Sequence, residues 1–125
     1  MTFINLSNHP VSSWSKEQVD AAVSLGLGNV VDLQGGMPLV DPAADEGEVA
    51  KMADDIAAKV QTLNHVKGAF VAGDFTLTFA LVSRLKKEGI RCFCTTSMRK
   101  VVEEKNNENI IKKSLFAFVR WREYL

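Results

Sequence analysis

Gly68 to Leu85 reads GAFVAGDFTLTFALVSRL, and the fold follows from how this stretch is parsed. A short apolar run, Ala69 to Ala72, meets Gly73. Asp74, Thr76 and Thr78 come next, and then an apolar segment at helical spacing that closes on Lys86-Lys87-Glu88-Gly89. The pattern is strand, tight loop, helix. Gly73 permits a sharp turn, Asp74 can accept from the first helical amides, and Gly89 suits a left-handed C-cap. Such a junction turns the positive end of a helix outward, so a phosphate or another anionic oxygen is the guest expected above it.

Working outward, the same alternation recurs on both sides. Thr2 to Leu6 is β-rich and stops at Ser7-Asn8-His9-Pro10. Ser15 and Gln18 resemble a capping box ahead of Val19, Ala22 and Val23, and Gly26 and Gly28 end that helix. Val30, Val31 and Leu33 form a second strand, followed by a loop from Gln34 to Ala44. Asp45 and Glu48 repeat the capping pattern before Val49, Met52, Ala53, Ile56, Val60 and Leu63, a clear amphipathic helix. Downstream of Gly89, Ile90 to Cys94 reads as a fourth strand closing into Thr95-Thr96-Ser97. A hairpin with an asparagine-rich turn at Lys105 to Asn109 then carries the chain to Tyr124. A helix over Ser97 to Lys105 competes, because Met98, Val101 and Val102 also suit one.

Alternating strands and helices imply one domain over residues 1–125. It is α/β: a mainly parallel Rossmann-like sheet with helices on both faces and a C-terminal β-hairpin. In open parallel sheets, ligands bind outside the carboxyl ends of the strands. Four loops should therefore share one crevice. They bring Ser7, Asn8 and His9; Gln34, Gly35 and Gly36; Gly73, Asp74, Thr76 and Thr78; and Thr95, Thr96, Ser97 and Arg99. The opposite-end connections are ordinary glycine, lysine and asparagine turns. Each residue also has a structural explanation. Asp74 and Thr76 can be a helix cap alone, His9 a turn former and His65 a surface residue. Trp14 and Trp121 read as core or interface side chains, and the Phe116 and Phe118 pair as core.

Fifteen basic and fifteen acidic residues give formal neutrality, so no global field draws the chain to duplex nucleic acid or an anionic membrane. No run approaches a membrane span and MTFINLSNHP does not read as a signal peptide, so a cytoplasmic protein is expected. Cys92 and Cys94 stand two apart on one face of a strand, a poor geometry for a mutual disulfide, and the two histidines are too few for a metal reading. P-loop, G-x-G-x-x-G, G-x-S-x-G and C-x-x-C motifs are all missing.

Small size, a late hairpin, a polar loop after the first strand and Asp74-Phe75-Thr76-Leu77-Thr78 at the strand-to-helix junction resemble the CARF-type domains of type III CRISPR systems. NHP near the start, VDP in the middle and FVRWREY at the end are similar to small stand-alone CRISPR-associated proteins of about this length. The chain lacks the glycine pair and the basic residue that usually follow the threonine, and no arginine–histidine nuclease motif is present. The resemblance implies a ring nuclease that binds and cleaves cyclic oligoadenylate second messengers, the alternatives being a module that only binds them and an unrelated Rossmann-like enzyme of a small phosphorylated metabolite. Cleavage would use a ribose 2′-hydroxyl as nucleophile and need no metal or cofactor. His9 would move a proton, Arg99 would serve the phosphate, and Asn8 and Gln34 would hold ribose or base edges. A ring with two-fold symmetry would favour a homodimer, with the late hairpin as its interface.

Overall fold

The computed structural model describes residues 1–106 and 109–125. Its elements in chain order are β1 (Thr2–Leu6), a 3-10 turn (Val11–Ser13), α1 (Lys16–Ser24), β2 (Asn29–Asp32), α2 (Glu46–Gln61), β3 (Val66–Val71), α3 (Phe75–Lys87), β4 (Arg91–Asn106) and β5 (Asn109–Glu123). The fold is α/β. Its one five-stranded sheet has the order β2-β1-β3-β4-β5, parallel except for the antiparallel β4–β5 pair.

Each helix starts where its cap dictates. Ser15 accepts from the Gln18 amide, Asp45 from the Glu48 amide, and Asp74 from the amides of Thr76 and Leu77. These bonds satisfy amides that have no partner within the helix. Gly89, at φ +79°, carries the chain out of α3 in the left-handed region.

The sheet separates two cores. On one face, Ile4, Leu6, Ala69, Val71 and Cys92 meet Val49, Ala53, Ile56 and Val60 of α2 and Leu77, Leu81 and Leu85 of α3. On the other, Phe3, Phe70, Phe93 and Trp121 gather with Ala22 of α1, and Trp14 packs on the cluster. Trp121 lies edge-on to Phe70 at 5.0 Å and to Phe3 at 5.4 Å between ring centroids. Aromatic edges and faces carry opposite partial charge, which favours this arrangement. Gly68 makes room for it, because a Cβ there would meet Leu27 Cδ1 at 2.7 Å and Phe3 Cδ2 at 2.9 Å.

Two expectations are corrected. The fourth strand does not end at Cys94 in a Thr95-Thr96-Ser97 loop. It runs on to Asn106, paired with β5 from Phe93↔Glu123 to Asn106↔Asn109, with a register shift between Thr96 and Ser97. The antiparallel partner supplies backbone hydrogen bonds that β3, ending at Val71, cannot, and so the strand continues where a loop was expected. The competing helix over Ser97 to Lys105 is not formed. The second correction concerns Phe116, which is 71% exposed although Phe118 packs on the second core. From about Ser97 onward the β4–β5 pair stands clear of the helices as a two-stranded arm. The expected asparagine-rich turn includes residues 107–108 and lies outside the described residues.

Candidate functional site

The strand order reverses direction at β1, since β2 lies on one side of it and β3 on the other. Above that point the loops after β1 and β3 diverge, and a crevice opens between them. Asn8 and Gly73 are its two lips. A Cβ added at Gly73, whose φ is +137°, would stand 3.8 Å from Asn8 Nδ2. One lobe of about 380 Å³ is lined by Asn5, Ser7, Asn8, Asp32 and Gly36, and an adjoining one of about 210 Å³ by Asn8, Met37, Gly73, Asp74 and Thr78. Asn8 and Met37 belong to both.

The floor is a polar network in an otherwise apolar strand. Asn5, 3% exposed, donates from Nδ2 to the His9 carbonyl at 2.7 Å and to Asp32 Oδ1 at 2.8 Å. Its Oδ1 accepts from Ser7 Oγ at 2.7 Å. Asp32 Oδ1 also accepts from the Val11 amide, and the His9 carbonyl also accepts from Trp14 Nε1 at 3.0 Å. The Asn5 side chain thus ties the loop after β1, through His9 and Ser7, to Asp32 at the end of β2, and no buried side-chain nitrogen or oxygen among the described residues lacks a partner. A loop held this way is pre-organised, with little ordering left for a ligand to impose.

At the other lip Asp74 Oδ1 takes three hydrogen bonds, from the Thr76 and Leu77 amides and from Thr76 Oγ1 at 2.6 Å. These donors hold the carboxyl below its ordinary value, the Thr76 hydroxyl contributing most. The amides expected to await a phosphate are thus already occupied, and by a negative charge.

The structure brings together Ser7, Asn8, Gly36, Gly73, Asp74 and Thr78. It separates the others. Gln34 and Gly35 line a different groove with Lys59 of α2 and Thr62 just beyond it, and Thr76 faces the start of α2 beside Val49. Thr95, Thr96, Ser97 and Arg99 are strand residues. Thr96 Oγ1 points to the Arg120 carbonyl, and the Arg99 guanidinium donates to Ser114 Oγ at 2.9 and 3.2 Å across the arm. His9 acts in the network through its backbone carbonyl, and its side chain is exposed. Four loops therefore become three, and no lysine or arginine among the described residues lines either lobe. Sequence reasoning missed Asn5, Asp32 and Met37. A lone asparagine inside the apolar run TFINL was the available signal.

Comparison with known proteins settles the relationship of the chain. The model of the Uncharacterized protein MJ1673 family matches residues 1–122. The chain belongs to that family. No curated protein and no solved structure matches it. The match to the MJ1673 family runs from β1 to Arg122, one residue short of the end of β5, and takes in both lips of the crevice.

Proposed function

We propose that this Rossmann-like, CARF-like domain binds a cyclic oligoadenylate in the crevice at the β1/β3 switch point. The observation that carries the reading is Asn8 facing Gly73 across a pre-organised gap, with hydroxyl, amide and carboxylate groups on both sides. Switch-point crevices of parallel sheets are where nucleotides dock. With all three capping bonds on its Oδ1, Asp74 keeps its other oxygen as an acceptor for an adenine amine or a ribose hydroxyl. Its charge turns phosphates away from the start of α3, toward the Asn8 side-chain amide on the opposite lip.

Binding is favoured over turnover by the same inventory. Stabilising charge on a cleaved phosphodiester calls for a preorganised cation or a set of free amides. The lobes hold no cation among the described residues, and Arg99 is bonded to Ser114 on the arm. Ring cleavage by the ribose 2′-hydroxyl is the second reading, favoured by the exposed His9 imidazole on a loop fixed by Asn5.

The test is incubation of EDTA-treated protein with cyclic tri-, tetra- and hexa-adenylate, read by thermal shift and by chromatography. One ring should raise the melting temperature and survive intact, and Asn8→Ala or Thr78→Val should reduce the shift. Linear products lost on His9→Ala would establish the nuclease instead. Neither shift nor product with any ring would remove both readings.

A further inference from the structure

We infer that the free edge of β2 takes an extended peptide of a partner protein as one further strand, with apolar side chains toward α1 and an acidic side chain toward Lys59 of α2. β2 is the outermost strand and pairs with β1 alone. The Asn29 amide donates to the Met1 carbonyl, and in a parallel ladder alternate residues turn to the same neighbour. Asn29 and Val31 therefore turn their backbone groups inward, and Val30 and Asp32 turn theirs out. Those outer amides and carbonyls have no backbone partner among the described residues. Room for a strand exists on both faces of this edge. On the α2 face a groove of about 670 Å³ runs past Thr2, Val31 and Leu33 to Gln34, with Lys59 and Leu63 on its wall. On the α1 face a groove of about 560 Å³ is walled by Val11, Val19, Val23 and Val30. Each is larger than either lobe of the crevice. Because side chains of a strand alternate between faces, a peptide along β2 drops successive residues into one groove and the other while its backbone meets Val30 and Asp32.

Charge and shape describe the occupant. No charged side chain lines the valine groove, so the residues that enter it are apolar. Lys59 is the one basic residue lining either groove, is exposed, and makes no ion pair among the described residues, so it calls for an acidic residue opposite. The other charge there, Asp32, already accepts at Oδ1 from Asn5 and from the Val11 amide. A second copy fits poorly, because its own β2 would bring two more empty grooves to the seam and join them to these instead of filling them. Nor is the edge shielded. Sheets blunt exposed edges with lysine, proline or a bulge. The opposite edge strand, β5, carries Lys112, Lys113, Arg120 and Arg122 and a register shift, whereas Asn29–Asp32 has none of these devices.

Fluorescence anisotropy of the labelled peptide Val-Thr-Val-Glu-Val-Thr-Val, which reads alike in both chain directions, tests this against the full chain. It should bind with a Kd of about 10–100 µM. Methylating the valine amides or, separately, the threonine and glutamate amides should abolish binding in one case and spare it in the other, because only alternate amides face β2. Val30→Pro removes an outward amide that an edge strand can lose, and should weaken binding about ten-fold with an unchanged circular dichroism spectrum. Lys59→Glu should weaken it as well, and a peptide with lysine in place of glutamate should recover the loss. No binding up to about 1 mM, or binding indifferent to which amides are methylated, overturns the inference. So does a wild type that sediments as a dimer and becomes monomeric on Val30→Pro, which would give the edge to a second copy.

Discussion

Replacing Asn5 by aspartate changes the shape of the crevice floor hardly at all and its chemistry completely. Asn5→Asp removes the amide that donates to the His9 carbonyl and to Asp32 Oδ1, and sets a second carboxylate 2.8 Å from that oxygen. A neutral hydrogen bond contributes about 1 kcal/mol and one to a charged group about 2 kcal/mol, so the loss near pH 8 is about 3 kcal/mol before any repulsion. With about 2.1 cal/mol/K of unfolding entropy per residue over 125 residues, that lowers the melting temperature by about 11 °C. The sign with pH follows from linkage. Burial and the neighbouring Asp32 charge raise the folded-state pKa of the new carboxyl above its unfolded value near 3.9. The deficit is therefore smallest below about pH 4, where the protonated carboxyl can again donate, and grows as pH rises through the folded-state value. Melting curves of variant and wild type at pH 4 and pH 8, followed by circular dichroism, measure both effects. A variant within 2 °C of wild type at pH 8, or a deficit independent of pH, would refute the role given to Asn5.

Three further outcomes are expected. Asp74→Ala removes the α3 cap and should lower the melting temperature at pH 7; because the folded-state value lies below 3.8, the difference should shrink only as pH falls below 3.8. Gly68→Ala drives a methyl group into Leu27 and Phe3 and should cost about 1–3 kcal/mol, and a neutral result in urea denaturation would show that the aromatic cluster has slack. Burial pushes the Cys92 thiol up to about 11, so its contribution to stability is intact below pH 9 and is lost between about pH 9 and 11. Native protein at pH 8 should leave Cys92 unalkylated by iodoacetamide in mass spectra, and modification at the rate of a free thiol would contradict its placement.

Much of the fold was legible because local chemistry and global position agree in this chain. Ser15, Asp45 and Asp74 announce helix starts through caps that need only the next three residues, and the apolar runs of β1 and β3 are buried on both faces. The end of β4 was not legible. Thr95-Thr96-Ser97 looks like the close of a strand when its neighbour is β3, and like the middle of one when its neighbour is β5. That choice lies in long-range pairing with Arg120 and Phe118 rather than in the residues themselves. The same blindness misplaced Arg99. Ser7, Asn8, Gly73, Asp74 and Thr78 were found because a topological rule located them, whereas Asn5 hid inside a strand whose other members are core.

β1 is the first strand of the chain and stands in the middle of the parallel part of the sheet, with β2 on one side and β3 on the other. Its pairing with β2 joins Ile4 to Val31, but its pairing with β3 joins Ile4 to Ala69. During synthesis, then, Thr2–Leu6 waits through the whole of α1, β2 and α2 before its second neighbour exists. Closing that long loop is entropically expensive, and it must happen before the Asn5 network and the buried Phe3 are enclosed. Refolding should accordingly be governed by the docking of β3, and a nascent chain arrested before Val66 would expose a bare apolar strand edge to the cell's chaperones.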